Sequence, residues 1–261
     1  MKKLLFFGLM LLATSMQAQT ARKFTLNLTD DGKAEMVCFL PETSSGKAIV
    51  GVPGGGYSVL SNNHEGTMAS GWLNQQGIAY FVVNYRLPEG DRTKPMNDVM
   101  KGMRIVRDSA EVWGINPHDV GIMGFSAGGH LASTVATHAT GDAAPNFQIL
   151  FYPVISMEQG TTHQGSRDNL LGKNPKRKLV NEYCNEQHIT KHTPRAFLAL
   201  AHDDRAVPPV NSLNYYEELY ANKVPAAMYI YPSGGHGFGI RQSFTYHLEM
   251  MLELKAWLRS F

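Results

Sequence analysis

The chain has 261 residues, with 24 Lys and Arg against 22 Asp and Glu, and so small a balance gives no sign of a nucleic-acid or membrane-surface partner; none is expected. Its length suits one large α/β domain or two small ones. Two cysteines, Cys38 and Cys184, are too few for a disulfide scaffold; a bond between them and two separate buried thiols are both open.

Residues 1–18 read as an export signal. Lys2-Lys3 make a basic start, and Leu4 to Ala13 form an apolar core of about ten residues, too short to span a bilayer. Thr14 to Ala18 then offers a small residue at the cut, near Ala18. Removing Lys2 and Lys3 leaves 22 basic residues against the 22 acidic ones, so the mature chain is formally neutral. No Cys follows the apolar core, so no lipid or membrane anchor is expected. The mature protein, from about Gln19 as one catalytic domain over 19–261, belongs in the periplasm or outside the cell.

From residue 24 onward, apolar β-rich runs alternate with helical patterns. Phe24 to Leu28 and Glu35 to Leu40 are predicted as leading strands joined at Asp30-Asp31-Gly32. Buried strands follow at Ala48 to Val52, Ala79 to Tyr85, Asp119 to Met123, Phe147 to Tyr152, Arg195 to Ala201 and Ala226 to Tyr231. Between them, Val99, Met103, Val106, Ala110 and Trp113 recur at helical spacing, and His130 to His138 is helix-compatible. Phe244, Leu248, Met251, Leu254 and Leu258 predict a C-terminal helix with one apolar face. Strands alternating with helices give an α/β fold with a mostly parallel sheet covered on both faces. Residues 156–194 are less regular. The charge run from Lys173 to Lys178 reads as solvated surface, with a lid or substrate-facing insertion as the alternative.

Residues 121–130 carry the strongest chemical signal. Gly124-Phe125-Ser126-Ala127-Gly128 is a Gly-x-Ser-x-Gly turn between a predicted strand and a predicted helix. Such a turn lifts the serine hydroxyl above the sheet, at a helix N-terminus where partial positive charge favours an alkoxide. A serine nucleophile needs a base, and the base needs a carboxylate to hold its tautomer. Both follow later strands in the expected order: His202-Asp203-Asp204 after one strand and Gly234-Gly235-His236-Gly237 after the next. His236 is therefore the candidate base. Asp203 and Asp204 compete for the acid role, and adjacency alone does not separate them. An oxyanion hole fits the turn Pro53-Gly54-Gly55-Gly56-Tyr57 together with the amide after the nucleophile, so Gly55, Gly56 and Ala127 are the expected donors. The turn lacks the Lys-Ser/Thr ending of a phosphate-binding loop.

Taken together, the Pro-Gly-Gly-Gly-Tyr turn, Asn84-Tyr85-Arg86-Leu87-Pro88, the Gly-Phe-Ser-Ala-Gly-Gly-His elbow, Asp-Asp-x-x-Val-Pro and Gly-Gly-His-Gly-Phe-Gly resemble bacterial esterases of the α/β-hydrolase fold. The likeness is to secreted carbohydrate esterases, especially acetyl xylan esterases, and covers roughly residues 33–258. The resemblance implies a Ser-Asp-His triad in which the acid is Asp204, three residues before the Val of the Val-Pro pair. It implies an acetylated polysaccharide or oligosaccharide substrate and no cofactor. Pro53 departs from the pattern, because many relatives carry His before the glycines.

Tyr57, His64, Glu65 and Arg167 are expected to line a sugar site, with Tyr152 and Trp72 as further possibilities, Trp72 more as core. His188 and His192 are four apart, yet Pro194 follows and no partner ligand is evident, so no metal is expected. Feruloyl or general short-chain esterase activity, a prolyl-type serine peptidase and a catalytically dead binding protein remain as alternatives. The oligomeric state is not readable.

Overall fold

Why the chain folds as it does is clearest in its sheet. The computed structural model describes residues 22–261; the export-signal reading lies outside them. Strands β1 (Arg22–Asn27), β2 (Glu35–Leu40), β3 (Ala48–Val52), β4 (Ala79–Asn84), β5 (Val120–Phe125), β6 (Phe147–Phe151), β7 (Arg195–Ala201) and β8 (Ala226–Tyr231) form one eight-stranded sheet. Its order is β1-β2-β4-β3-β5-β6-β7-β8. β1 and β2 are antiparallel, and β3 through β8 pair in parallel. Every residue of β3, β5 and β6 is buried, as expected for continuous apolar runs covered on both faces.

Helices α1 (Ala69–Gln75), α2 (Thr93–Asp108), α3 (Ala110–Trp113), α4 (Ala127–His138), α5 (Gln164–Leu171), α6 (Arg177–Glu182), α7 (Val210–Ala221) and α8 (His247–Leu258) complete the fold. Strand alternation feeds two cores. Val50 and Val52 pack with Met103 of α2, Leu131 of α4 and Leu219 of α7, whereas Ile49 packs with Leu73 of α1 and Leu254 of α8. The fold is α/β, with helices on both faces.

Two helical expectations need correction. The stretch ending at Trp113 is interrupted at Ser109, which leaves helical geometry (φ −94°, ψ 6°), and Gly114 then stops the chain in the left-handed region at φ 66°. In the C-terminal helix, Phe244 precedes the first turn and Leu248 is exposed; Met250, Met251, Leu254 and Leu258 form the buried stripe. Because α8 begins at His247, the stripe is set by Met250 and Leu254, and Leu248 turns away from it. Both cysteines are free and buried, Cys38 in β2 and Cys184 after α6. Among the described residues, no helix is long and apolar enough to cross a membrane.

Candidate active site

Parallel strands deliver their loops to one sheet edge, and the site is assembled there. β5 ends at Phe125, and Ser126 turns the chain into α4 with φ 53° and ψ −121°, a conformation costly for a residue with a side chain. Backbone contacts hold it: Ser126 N donates to Phe151 O at 3.0 Å, and Val154 N donates to Ser126 O at 3.0 Å. The flanking glycines are sterically required. A Cβ on Gly128 would lie 2.2 Å from Val52 O, and one on Gly124 would lie 2.3 Å from Gly128 O.

His236 Nδ1 lies 2.7 Å from Asp204 Oδ2, and its Nε2 lies 2.8 Å from Ser126 Oγ. With the Nδ1 proton given to the carboxylate, Nε2 is free to accept from the serine hydroxyl. The Asp204 side chain is 1 % exposed, and its Oδ1 accepts from Ala206 N and Val207 N, both at 2.9 Å. Those amides fix the carboxylate plane. The neighbouring Asp203 is exposed and instead accepts from Gly235 N at 2.8 Å, bracing the loop that carries His236. Both sequence candidates for the acid thus have work, but only Asp204 meets the imidazole. His202, at the end of β7, is exposed.

The Pro53-Gly54-Gly55-Gly56-Tyr57 turn follows β3, and Gly54 passes so close to Ser126 that a Cβ there would lie 3.0 Å from Ser126 Cβ. The amides of Gly55, Gly56 and Ala127 donate to no protein acceptor among the described residues. Two buried phenols anchor the turn. Tyr85 Oη donates to Pro53 O at 2.9 Å, and Tyr57 Oη lies 2.9 Å from His130 Nδ1. His130 Nε2 lies 2.9 Å from Tyr183 O, so Nε2 carries the proton and Nδ1 accepts from Tyr57. One fully buried imidazole thus ties α4 to the glycine turn and to the segment after α6.

Tyr57 is therefore not a substrate-lining side chain, because its ring is buried against Tyr85 and His130. Tyr57→Phe keeps that ring and deletes the bond. It is expected to lower kcat roughly three- to tenfold with KM near wild type, as read by steady-state kinetics. Burial depresses the His130 pKa from 6.5 to about 4. Since the folded pKa lies below the unfolded one, the unfolded chain takes up the proton first. The stability from this group is full above pH 6.5 and is lost as pH falls towards 4, by about 3 kcal/mol in all. Urea midpoints across this range should fall, and should fall less in His130→Asn.

Two other expected sugar contacts, Glu65 and Arg167, also fail, for one reason: they are buried under the site rather than facing it. Glu65 accepts from Tyr152 Oη at 2.9 Å, and Tyr152 in turn accepts from Gly239 N at 2.7 Å while its ring supports His236 edge-on at 4.8 Å. Glu65 and Tyr152 thus prop the histidine loop from below. Arg167 is buried, with Nε donating to Met157 O at 2.8 Å. His64 is half-buried, burial lowers its pKa, and its carbonyl abuts Gly239. Trp72 packs against the core of the α1–α8 face. His188 is half-buried rather than superficial, its ring tilted against that of His138 with centroids 4.5 Å apart. Among the described residues, no group of three His, Cys, Asp or Glu side chains is placed to hold a metal.

The structure adds residues that sequence reasoning missed. The 156–194 segment folds α5 against the glycine turn, where Asn169 Nδ2 donates to Gly56 O at 2.8 Å. His163, at the start of α5, lies near the same glycine: a Cβ on Gly56 would sit 3.7 Å from its Cε1. Only the irregularity of the segment hinted at this. The run from Lys173 to Lys178 is largely exposed, away from this contact.

The BD-FAE family model matches residues 36–219. The chain belongs to the BD-FAE family. This BD-FAE member is 58 % identical, over 99 % of its length, to an acetylxylan esterase of Xylanibacter ruminicola, and covers 55 % of that protein. It is 31 % identical to endo-1,4-beta-xylanase B of Butyrivibrio fibrisolvens over 72 % of the chain and 32 % of the xylanase. The chain thus spans about half the length, or less, of these curated relatives. Among solved structures it is similar to an acetyl ester-xyloside bifunctional hydrolase from Caldicellulosiruptor lactoaceticus. There the TM-score is 0.81, at 35 % identity and 87 % and 88 % coverage of the two chains.

Proposed function

We propose that this BD-FAE member is a serine esterase that removes acetyl groups from xylan or its oligosaccharides. The observation that carries the chemistry is the Ser126–His236–Asp204 relay, with contacts of 2.8 and 2.7 Å beside the glycine turn. The substrate class rests on the likeness to the acetylxylan esterase and the acetyl ester-xyloside hydrolase.

In this reading His236 Nε2 takes the Ser126 proton as Oγ attacks the acetyl carbonyl. The amides of Gly55, Gly56 and Ala127 receive the oxyanion. The imidazolium, held by Asp204, then protonates the departing sugar oxygen, leaving an acetyl-serine. Water, deprotonated by the same imidazole, releases acetate and restores the serine. Buried Glu65 and Tyr152 keep the His236 loop in place and touch no substrate. Residues 1–18 direct export, and N-terminal sequencing of protein recovered outside the cytoplasm tests that part.

The test is acetate release from acetylated xylan and xylo-oligosaccharides, with feruloyl esters and proline peptides as comparators. Acetate from the oligosaccharides at rates well above the comparators is expected. Cleavage of feruloyl esters or proline peptides alone would replace the substrate assignment while leaving the triad untouched.

A further inference from the structure

His163 is a half-buried imidazole near the glycine turn that neither the relay nor the buried His130 bridge uses. Its Nδ1 caps α5: Ser166 N donates to it at 3.2 Å, and the Ser166 hydroxyl lies 2.9 Å away. An amide donor needs a lone pair on Nδ1, so the ring proton of the neutral imidazole sits on Nε2. That nitrogen has no hydrogen-bond partner within the protein among the described residues, and the side chain is half-buried. The ring stands beside Gly56, its Cε1 3.7 Å from where a Cβ there would lie, and α5 is clamped to the same turn by Asn169. His236 and Asp204 both act on its charge, the first disfavouring and the second favouring the protonated form, while burial lowers its pKa most. A fixed, neutral N–H donor on the rim of a reaction centre is suited to a neutral polar ligand rather than to an anion.

We propose that His163 is a substrate-binding residue whose Nε2–H donates to a hydroxyl or ring oxygen of the sugar that carries the ester. The proposal rests on the acetylated-sugar reading above. It assigns to the 156–194 segment a substrate-facing role through α5. Capping and donation use different ring nitrogens, so they can be separated by substitution. In His163→Asn the amide oxygen replaces Nδ1 as the helix cap and the outer donor is lost. In His163→Gln the longer amide reaches the Nε2 position and can still donate.

Steady-state kinetics on acetylated xylotriose and on nitrophenyl acetate, which has no sugar, give the test. His163→Asn is expected to raise KM for the xylotriose roughly three- to tenfold while kinetics on nitrophenyl acetate stay at wild type, with His163→Gln recovering much of the loss. Equal losses on both esters would overturn the proposal and make His163 a support for the oxyanion turn. No change on either ester would reduce it to a helix cap. A wild type inactive on acetylated xylotriose would refute the substrate reading itself, whereas an active wild type with an unchanged His163→Asn would refute only the role of His163.

Discussion

Ser126→Ala is expected to lower kcat on acetyl esters by about ten thousand- to a millionfold, with the fold retained. The hydroxyl is the one group in the site positioned to become a covalent nucleophile, since its Oγ alone faces His236 Nε2. What holds the turn is backbone: Ser126 N to Phe151 O, Val154 N to Ser126 O, and glycines where side chains would strike Val52 O and Gly128 O. Alanine preserves all of these contacts and carries the same Cβ, so thermal unfolding should move by no more than a few degrees. Turnover within tenfold of wild type in the folded variant would exclude Ser126 as nucleophile.

The second large effect separates two adjacent acids. Asp204→Asn is expected to cost about ten thousandfold in kcat. The asparagine nitrogen can donate to His236 Nδ1, which places the ring proton on Nε2, where it blocks acceptance from Ser126. Asp203→Asn keeps an oxygen for Gly235 N, and its contact at 2.8 Å is made on the surface, so a loss of no more than about threefold is expected. Parallel kinetics of the two variants, with circular dichroism to verify folding, decide the matter. A larger loss at Asp203 would reverse the assignment.

How much of this was legible in the sequence follows from what each residue's role depends on. The strands were readable because β3, β5, β6 and most of β7 are buried on both faces and so are unbroken apolar runs. Ser126 stood out because steric crowding forces glycine at 124 and 128, His236 because Gly235 and Gly237 beside it hold positive φ, and chain order follows strand order. The choice of Asp204 over Asp203 was not contained in the residues, since both carboxylates are partnered and only loop geometry decides which one meets His236. Tyr57, Glu65, Tyr152 and Arg167 look like a sugar-binding set in one dimension. In three they are buried supports: Tyr57, Glu65 and Tyr152 bond to other protein groups, and Arg167 Nε donates to Met157 O. His163 was invisible for the opposite reason. Its position depends on α5 folding back across the sheet edge to Gly56, a contact more than a hundred residues apart in the chain that leaves no periodic signature.

Titration with a fluorophosphonate, followed by peptide mapping and assay of acetate release from acetylated xylan, tests the central claim most directly. The account predicts one equivalent bound, on Ser126 in the peptide spanning residues 120–130, with acetate release falling in proportion to labelling. Full acetate release from protein labelled to completion, or a label on a different residue, would contradict it.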